Sequence, residues 1–301
     1  MKMLRIELNG KNAWRLLKNP FAAWRKLYCE IKRSYAIRAE EKKYYTQEIT
    51  SDCHFYIVSS VWNGGEIVLK CLHSVYQQNY PKYLIKHILV DDNSTDDTDT
   101  MIRQWMKENP DNCVEYINRA QRMGGTFNNI ECMKNAPEGS IIIELNGDDW
   151  LPDNEVLSFF NHVYNDENIW ITYNTPICVD GTIDTKYKSF DKKTIETNNF
   201  RNHPQWFSGH LHTFRQKLFQ KLDLTCMLDP LNGKYWENAD DQALYYPLFE
   251  MAGSHCVHIN RITCVYNLRD ESDQYRDTKG QVTRAKRIKQ LPKYQPLGTL
   301  S

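Results

Sequence analysis

The sequence predicts an α/β domain, a mostly parallel central sheet with helices on both faces. Three observations carry that reading. Short apolar runs recur between residues 54 and 145, each suited to a buried strand. Stretches with apolar residues three and four apart separate them, with short loops between. Each run ends in polar or acidic residues.

The elements follow in order. Residues 1–50 read as a basic amphipathic helical extension. Trp14, Leu17, Phe21, Trp24, Leu27, Tyr28 and Ile31 fall at helical spacing, and Pro20 breaks or kinks the run. Twelve Lys/Arg against five Asp/Glu make this segment strongly basic in a chain of zero net charge. A basic helix with an aromatic side suits an anionic membrane surface, and equally a packing contact with the main domain or a second subunit through residues 11–45. From residue 54 the period changes. "HFYIVSSV" (54–61), "IKHILV" (85–90), "CVEYI" (113–117) and "SIIIEL" (140–145) read as strands. Residues 64–80, 94–110 and 124–136 read as the helices between them, the second opening with capping residues and an acidic first turn. Beyond 151 the expected order is helix 152–164, strand 168–174 and a long polar surface loop over 180–204. Helices over 212–222 and 238–253, a strand over 262–267 and a charged tail over 271–301 complete it. The expected organisation is thus 1–50, a main domain over 51–270 with halves 51–150 and 151–270, and the tail.

Composition narrows the function. Hydrophobic residues at 41% and charged residues at 25% are ordinary for a globular protein. Zero net charge gives no footprint for nucleic acid. No window approaches the roughly 20 apolar residues of a spanning helix. Nine scattered cysteines without a CxxC pair read as reduced thiols. The expected location is cytoplasmic, with peripheral contact to a membrane surface as the alternative that the basic helix leaves open.

Ligands of open parallel sheets collect at the carboxyl ends of the strands. Four successive strand ends deliver polar groups to one edge: Ser60-Val61-Trp62-Asn63, Asp91-Asp92-Asn93-Ser94, Asn118-Arg119 and Asn146-Gly147-Asp148-Asp149. A single Asp-rich strand end is commonly only a turn or a helix cap; four in register are harder to explain that way. Asp148 and Asp149 suit a hard divalent cation, Mg2+ or Mn2+, whose shell a diphosphate would complete. Asp91 or Asp92 can accept a hydrogen bond from a nucleobase or ribose. Trp62 offers a ring on which a base can stack. Arg119 and Arg122, just before Gly124-Gly125, suit phosphate through guanidinium groups and glycine-backed amides.

These residues form a recognisable pattern. "YIVSSVWNGGEIVLKCLHSVYQQNYPKYLIKHILVDDNSTDDT" resembles the opening of family-2-type GT-A glycosyltransferases: an apolar strand, an aromatic-Asn pair (Trp62-Asn63), a helix ending in S-x-x-x-Q, and a strand running into D-D-x-S-T-D-x-T. "NGDDWLPD" resembles their D-x-D-D metal motif. The likeness covers residues 54–160 well and continues to about 267. It implies a nucleotide-diphosphate sugar donor, with Ser60, Trp62 and Asp92 on the nucleoside and Asp148 on the metal-diphosphate. Asn146 departs from the motif, since its amide brings no charge. The resemblance also implies a carboxylate base at a later helix start, to take the acceptor hydroxyl's proton in an inverting transfer. "NADDQALYYP" is the matching stretch, with Asp241 the first choice and Asp240 the second. "HPQWFSGHLHTFR" is expected on the acceptor side, with Trp206 for a sugar ring and His210 and His212 for sugar or phosphate. His255 or His258 could add a late metal ligand.

Uracil, guanine and thymine donors all fit, with a UDP-sugar taken first; the acceptor is a hydroxyl of a glycan, a lipid-linked glycan, a protein or a small molecule. Two rival readings stand beside this one. A nucleotidyltransferase would need a basic phosphate loop after the first strand, and residues 60–66 hold Gly64-Gly65 without a basic residue. A catalytically silent nucleotide- or sugar-binding module draws its support from Asn146.

Overall fold

The computed structural model describes residues 39, 41–46, 48–179, 181, 188–203, 209–267 and 278–300. Contacts divide the chain into two units, Met1–Thr46 and Gln47–Ser301. In the first, residues 41–45 are helical; the rest of the expected basic helix lies outside the described residues. Every element below belongs to the second unit.

Four strands, β1 (Phe55–Val61), β2 (Ile85–Asp91), β3 (Val114–Asn118) and β4 (Ile141–Glu144), fall where the apolar runs placed them. β1, β2 and β4 are nearly continuous runs of buried residues, as strands covered on both faces must be. Helix α1 (Ile67–Tyr76) buries Val68, Cys71, Leu72 and Val75, one stripe of a 3.6-residue period. Helix α2 (Thr98–Glu108) buries Thr98, Ile102 and Trp105. Val61, Val68, Leu72, Leu89, Ile102 and Trp105 form the core between these two helices and the sheet. Helix α3 (Gly125–Met133) turns Ile130 and Met133 into the larger core on the opposite side.

The chain continues through α4 (Val156–Tyr164), β5 (Ile171–Asn174), β6 (Ile177–Cys178), α5 (Lys192–Glu196), β7 (Gly209–Arg215) and α6 (Gln216–Gln220). It ends with α7 (Asp240–Ala252), β8 (Cys256–Ile259), β9 (Val265–Tyr266) and α8 (Thr278–Ile288). The main sheet has the order β3-β2-β1-β4-β7-β5-β8; β6 and β9 make a separate pair. Among the described residues, only β7 runs antiparallel to its neighbours in the main sheet. Among the described residues, no helix is long and apolar enough to cross a membrane.

Two expectations change. Residues 212–215 are strand, not helix. Phe214 sits four, five and eight residues before Leu218, Phe219 and Leu222, a helical spacing. All four share one core, but Phe214 enters it from β7 and the others from beyond it. Residues 188–203, expected within a surface loop, hold α5 and the enclosed Phe200 and Arg201. Arg201 makes a bidentate pair with Glu250 of α7, at 2.6 and 2.8 Å. Its remaining protons go to the carbonyls of Ile288, Leu291 and Pro292. Tyr294 N donates to Glu250, and Leu297 N to Met251 O, so residues 288–297 form a strap along α7.

A histidine in β2 gives the core a pH dependence. His87 is fully buried, with Nε2 2.9 Å from Ser59 Oγ, and burial lowers its pKa to about 4. The unfolded chain takes up a proton near pH 6.5 that the native histidine refuses. Stability should therefore fall as pH drops from about 6.5 towards 4. Replacing His87 by Gln should flatten urea-derived stability in that window by up to about 3 kcal/mol. An unchanged slope would show that His87 titrates normally in the native state.

Candidate active site

The strand order fixes where a site can form. From β1 the chain winds outward through β2 to β3, then returns to place β4 on the other side of β1. The crevice beyond the carboxyl ends of β1 and β4 is thus a topological switch point. A cleft of about 240 Å³ opens there, lined by Ser60, Val61, Trp62, Asp92, Arg122, Gly125, Asn146 and Asp148.

Close backbone approach builds this crevice. Gly147 N donates to Ser60 O at 3.0 Å. A Cβ on Gly147 would meet that oxygen at 2.9 Å and Val61 Cβ at 2.7 Å. Only glycine lets the β4 end lie so close to β1 and present Asp148 beside Ser60. Gly147→Ala should cost roughly 1–3 kcal/mol through forced displacement and weaken nucleotide binding. A variant with wild-type melting temperature and affinity would contradict this packing account.

Each expected nucleotide-side residue has a definite place. One face of Trp62 carries Arg122, whose guanidinium carbon lies 3.5 Å from the ring centroid. Arg122 is also 3.9 Å from Asp92, so ring, cation and carboxylate stand together in the cleft. Asp92 accepts from Met123 N, Gly124 N and Asn128 Nδ2 at 2.8–2.9 Å. That carboxylate shapes the 122–124 loop and the start of α3. Asp91 is fully buried, accepting from Ser94 N and Tyr116 OH. Asn63 donates its N–H to Ser94 Oγ and accepts from Thr95 N, tying the β1 and β2 ends together. Arg119 donates to Asn128 Oδ1. Asn63, Asp91 and Arg119 do not line the cleft.

The paired carboxylates have different surroundings. Asp148 lines the cleft. Asp149 is fully buried; its Oδ1 accepts from Asn267 N at 2.8 Å, and its Oδ2 lies 3.3 Å from Asn146 Nδ2 and 3.6 Å from His210 Nδ1. Asn146 Nδ2 is also 3.4 Å from His210 Nδ1. Among the described residues, no group of three or more His, Cys, Asp or Glu is placed to hold a metal. One half-buried carboxylate on the cleft wall, with an amide lining the same cleft, still fits Mg2+ or Mn2+ of the kind held by one or two protein carboxylates and substrate phosphates.

β7 brings two of the expected acceptor-side residues into the sheet. His210 stacks on Tyr266 at 4.6 Å; its pKa is lowered by burial, against the opposing pull of Glu144 and Asp241. His212 is buried against Tyr245 at 3.6 Å, and burial drives its pKa well below the ordinary value. It packs beneath the site. Trp206 lies outside the described residues. His255 bonds Asn168 O and stacks on Trp170, and His258 pairs with Thr175. His258 lies in β8 and His255 immediately before it; β8 is three strands from β4, about 14 Å at normal strand spacing, so neither joins Asp148.

The acids of "NADDQ" open α7, and both stand in its first turn. Asp240 reaches the cleft wall through Thr126, which follows the cleft residue Gly125 and lies 2.8 Å from Asp240 Oδ2. Three contributors went unread in the sequence. Thr126 is one. Glu144, at the end of β4, receives bonds from Tyr245 OH and Asn129 Nδ2, and burial raises its pKa. A carboxylate inside the apolar run "IIIEL" was its available signal. Asn267, whose backbone holds Asp149, gave none.

Sheet order and cleft position are those expected of a GT-A-type glycosyltransferase. The chain belongs to Glycosyl transferase family 2, whose profile matches residues 56–223. It is similar to S. aureus TarS in complex with UDP-GlcNAc, with TM-score 0.56 and 16% identity over 74% of this chain and 61% of that one. A mannosyltransferase from Pyrobaculum calidifontis, solved with GDP-Man and Mn2+, gives TM-score 0.53 and 17% identity over 81% of this chain and 67% of that one. At these identities the likeness is one of fold. A poly(ribitol-phosphate) beta-glucosyltransferase from Bacillus spizizenii is 29% identical over 105 residues, 35% of this chain and 16% of that protein. The chain thus spans about three fifths of the TarS structure and a small part of the Bacillus enzyme.

Proposed function

We propose that this chain is an inverting, divalent-cation-dependent glycosyltransferase that moves a sugar from a nucleotide diphosphate, UDP first, to an acceptor hydroxyl on a glycan, lipid-linked glycan or protein. The observation that carries this reading is the switch-point cleft, where Trp62, Arg122 and Asp148 line one opening with Gly125, whose helix neighbour Thr126 contacts Asp240 at the acidic start of α7. Trp62 and Arg122 bind the base and phosphates, with Ser60 and Gly125 offering polar and close-approach surface. Asp148, with the Asn146 amide beside it, would hold Mg2+ or Mn2+, and Asp149 backs them from beneath. When bound, the cation offsets charge on the departing diphosphate.

Asp241 takes the acceptor hydroxyl's proton. The freed oxygen pair forms the new bond to the anomeric carbon from the face opposite the diphosphate. The old carbon–oxygen bond breaks, and its electrons leave with the nucleotide diphosphate. UDP- and GDP-sugars both occur in the structures of similar fold, which supports a nucleotide donor and leaves the base to experiment.

A thermal-shift panel of nucleotide diphosphates and their sugars, with and without Mn2+, tests this directly. Stabilisation should require both one base and the metal, and reach about 2.7 kcal/mol at 100 times Kd. No shift with any nucleotide at saturating metal would remove the assignment.

A further inference from the structure

The proton inventory around Thr126 does not close if every acid nearby is ionised. Thr126 Oγ lies 2.7 Å from Trp236 O and 2.8 Å from Asp240 Oδ2. A threonine hydroxyl has one proton to donate, and a backbone carbonyl can only accept. Thr126 and Trp236 are buried, with 7% and 1% exposure. If Thr126 donated to Asp240, two oxygens without a proton between them would face each other at 2.7 Å, shut away from water. If Thr126 donates to the carbonyl, the contact with Asp240 needs a proton from the carboxyl side.

We propose that Asp240 is a neutral carboxylic acid in the resting enzyme, donating its proton to Thr126 Oγ, and that it acts as a positioning residue for the neighbouring base Asp241. The chain of bonds runs Asp240 to Thr126 to Trp236 O. It joins the start of α7 to the start of α3, whose first residue, Gly125, lines the donor cleft. The base and the donor site are thereby held in one hydrogen-bonded frame. The division of labour rests on the glycosyltransferase reading; the proton assignment does not.

The surroundings agree. Glu144 faces Asp240 from β4, His210 from β7, and Asp241 and Tyr245 from α7 itself. Carboxyls that share a half-buried space resist ionising together. A Thr126 hydroxyl donating to it, the backbone N–H groups of Asp240 and Asp241 and, when protonated, His210 would favour the ionised form, yet burial prevails and raises the Asp240 pKa. A carboxyl has two oxygens, so one can accept amide protons while the other carries the acid proton.

Asp240→Asn tests the assignment, because its amide N–H replaces the acid O–H as donor to Thr126. This variant should fold and keep at least a tenth of wild-type kcat, with the acid limb of the pH–rate profile in place. Asp241→Asn should lose at least a hundredfold. Stability gives a readout independent of transfer. An acid whose native pKa is raised loses its stabilising contribution as pH climbs from its unfolded value through its native one. Wild-type stability minus that of Asp240→Asn should therefore fall as pH rises above about 4. A flat or rising difference, or failure of Asp240→Asn to fold, overturns the neutral acid. Loss of kcat equal to that of Asp241→Asn overturns the division of labour. If no nucleotide sugar supports transfer by the wild-type protein, the glycosyltransferase reading fails, while the stability difference still decides where the proton sits.

Discussion

Arg201→Ala should destabilise the protein by about 3–5 kcal/mol, enough to consume a large part of a normal folding free energy. The reason is the orphaned partner more than the lost attraction. Glu250 is fully buried, and without the guanidinium its carboxylate keeps one named donor, Tyr294 N. The carbonyls of Ile288, Leu291 and Pro292 lose the guanidinium as a donor at the same moment, Ile288 O keeping Leu291 N. The strap over 288–297 is held to α7 by this hub, so it should become protease-sensitive before the sheet does. Urea denaturation and timed proteolysis would read both effects. Arg201→Met with Glu250→Leu should recover part of the loss, since removing both charges is cheaper than stranding one. If Arg201→Ala unfolds at the wild-type urea concentration, the hub contributes nothing and the strap is held otherwise.

What could be read from the sequence follows a physical divide. The four parallel strands were legible because strands buried on both faces must be continuous apolar runs, and "YIVSSV" and "IIIEL" have few other ways to be buried. The helices between them were legible through one-sided burial, as Val68, Cys71, Leu72 and Val75 show. The second half resisted because its signals are mixed. β7 is an interior strand of the sheet, flanked by β4 and β5, and its histidines stack on Tyr266 and Tyr245 rather than contributing apolar character, with His212 buried and His210 partly so. Arg201 looked like a surface charge because its partner lies 49 residues on, a distance no local pattern spans.

The site shows the same divide. That polar strand ends meet at one edge follows from parallel topology, and Ser60, Trp62, Asp92, Arg122, Gly125, Asn146 and Asp148 do line one cleft. Which carboxylate faces inward is a rotamer-level matter. Asp148 and Asp149 are adjacent in sequence, yet one lines the cleft and the other accepts from Asn267 N, 118 residues away. Sequence spacing carries no information about that choice.

Asp241→Asn should lower kcat by about 10²–10⁴-fold, ~3–5 kcal/mol of transition-state stabilisation. The change keeps the side chain's size and its ability to accept at the helix start, but an amide does not take a proton from an attacking hydroxyl. KM for the nucleotide sugar should change little, because the donor cleft is built from β1, β4, Arg122 and the start of α3. The nucleotide-induced thermal shift should therefore persist in a variant that no longer transfers. Asp241 lies one turn before Tyr245 on α7 and, like Glu144, acts on His210 and Tyr245, so its loss also relaxes an acidic cluster. Stability should hold or rise slightly, in contrast to Arg201→Ala. That combination, intact fold, intact donor binding and lost transfer, separates a proton acceptor from a helix cap: an asparagine caps as well as an aspartate, so a cap would leave both stability and turnover per folded molecule unchanged.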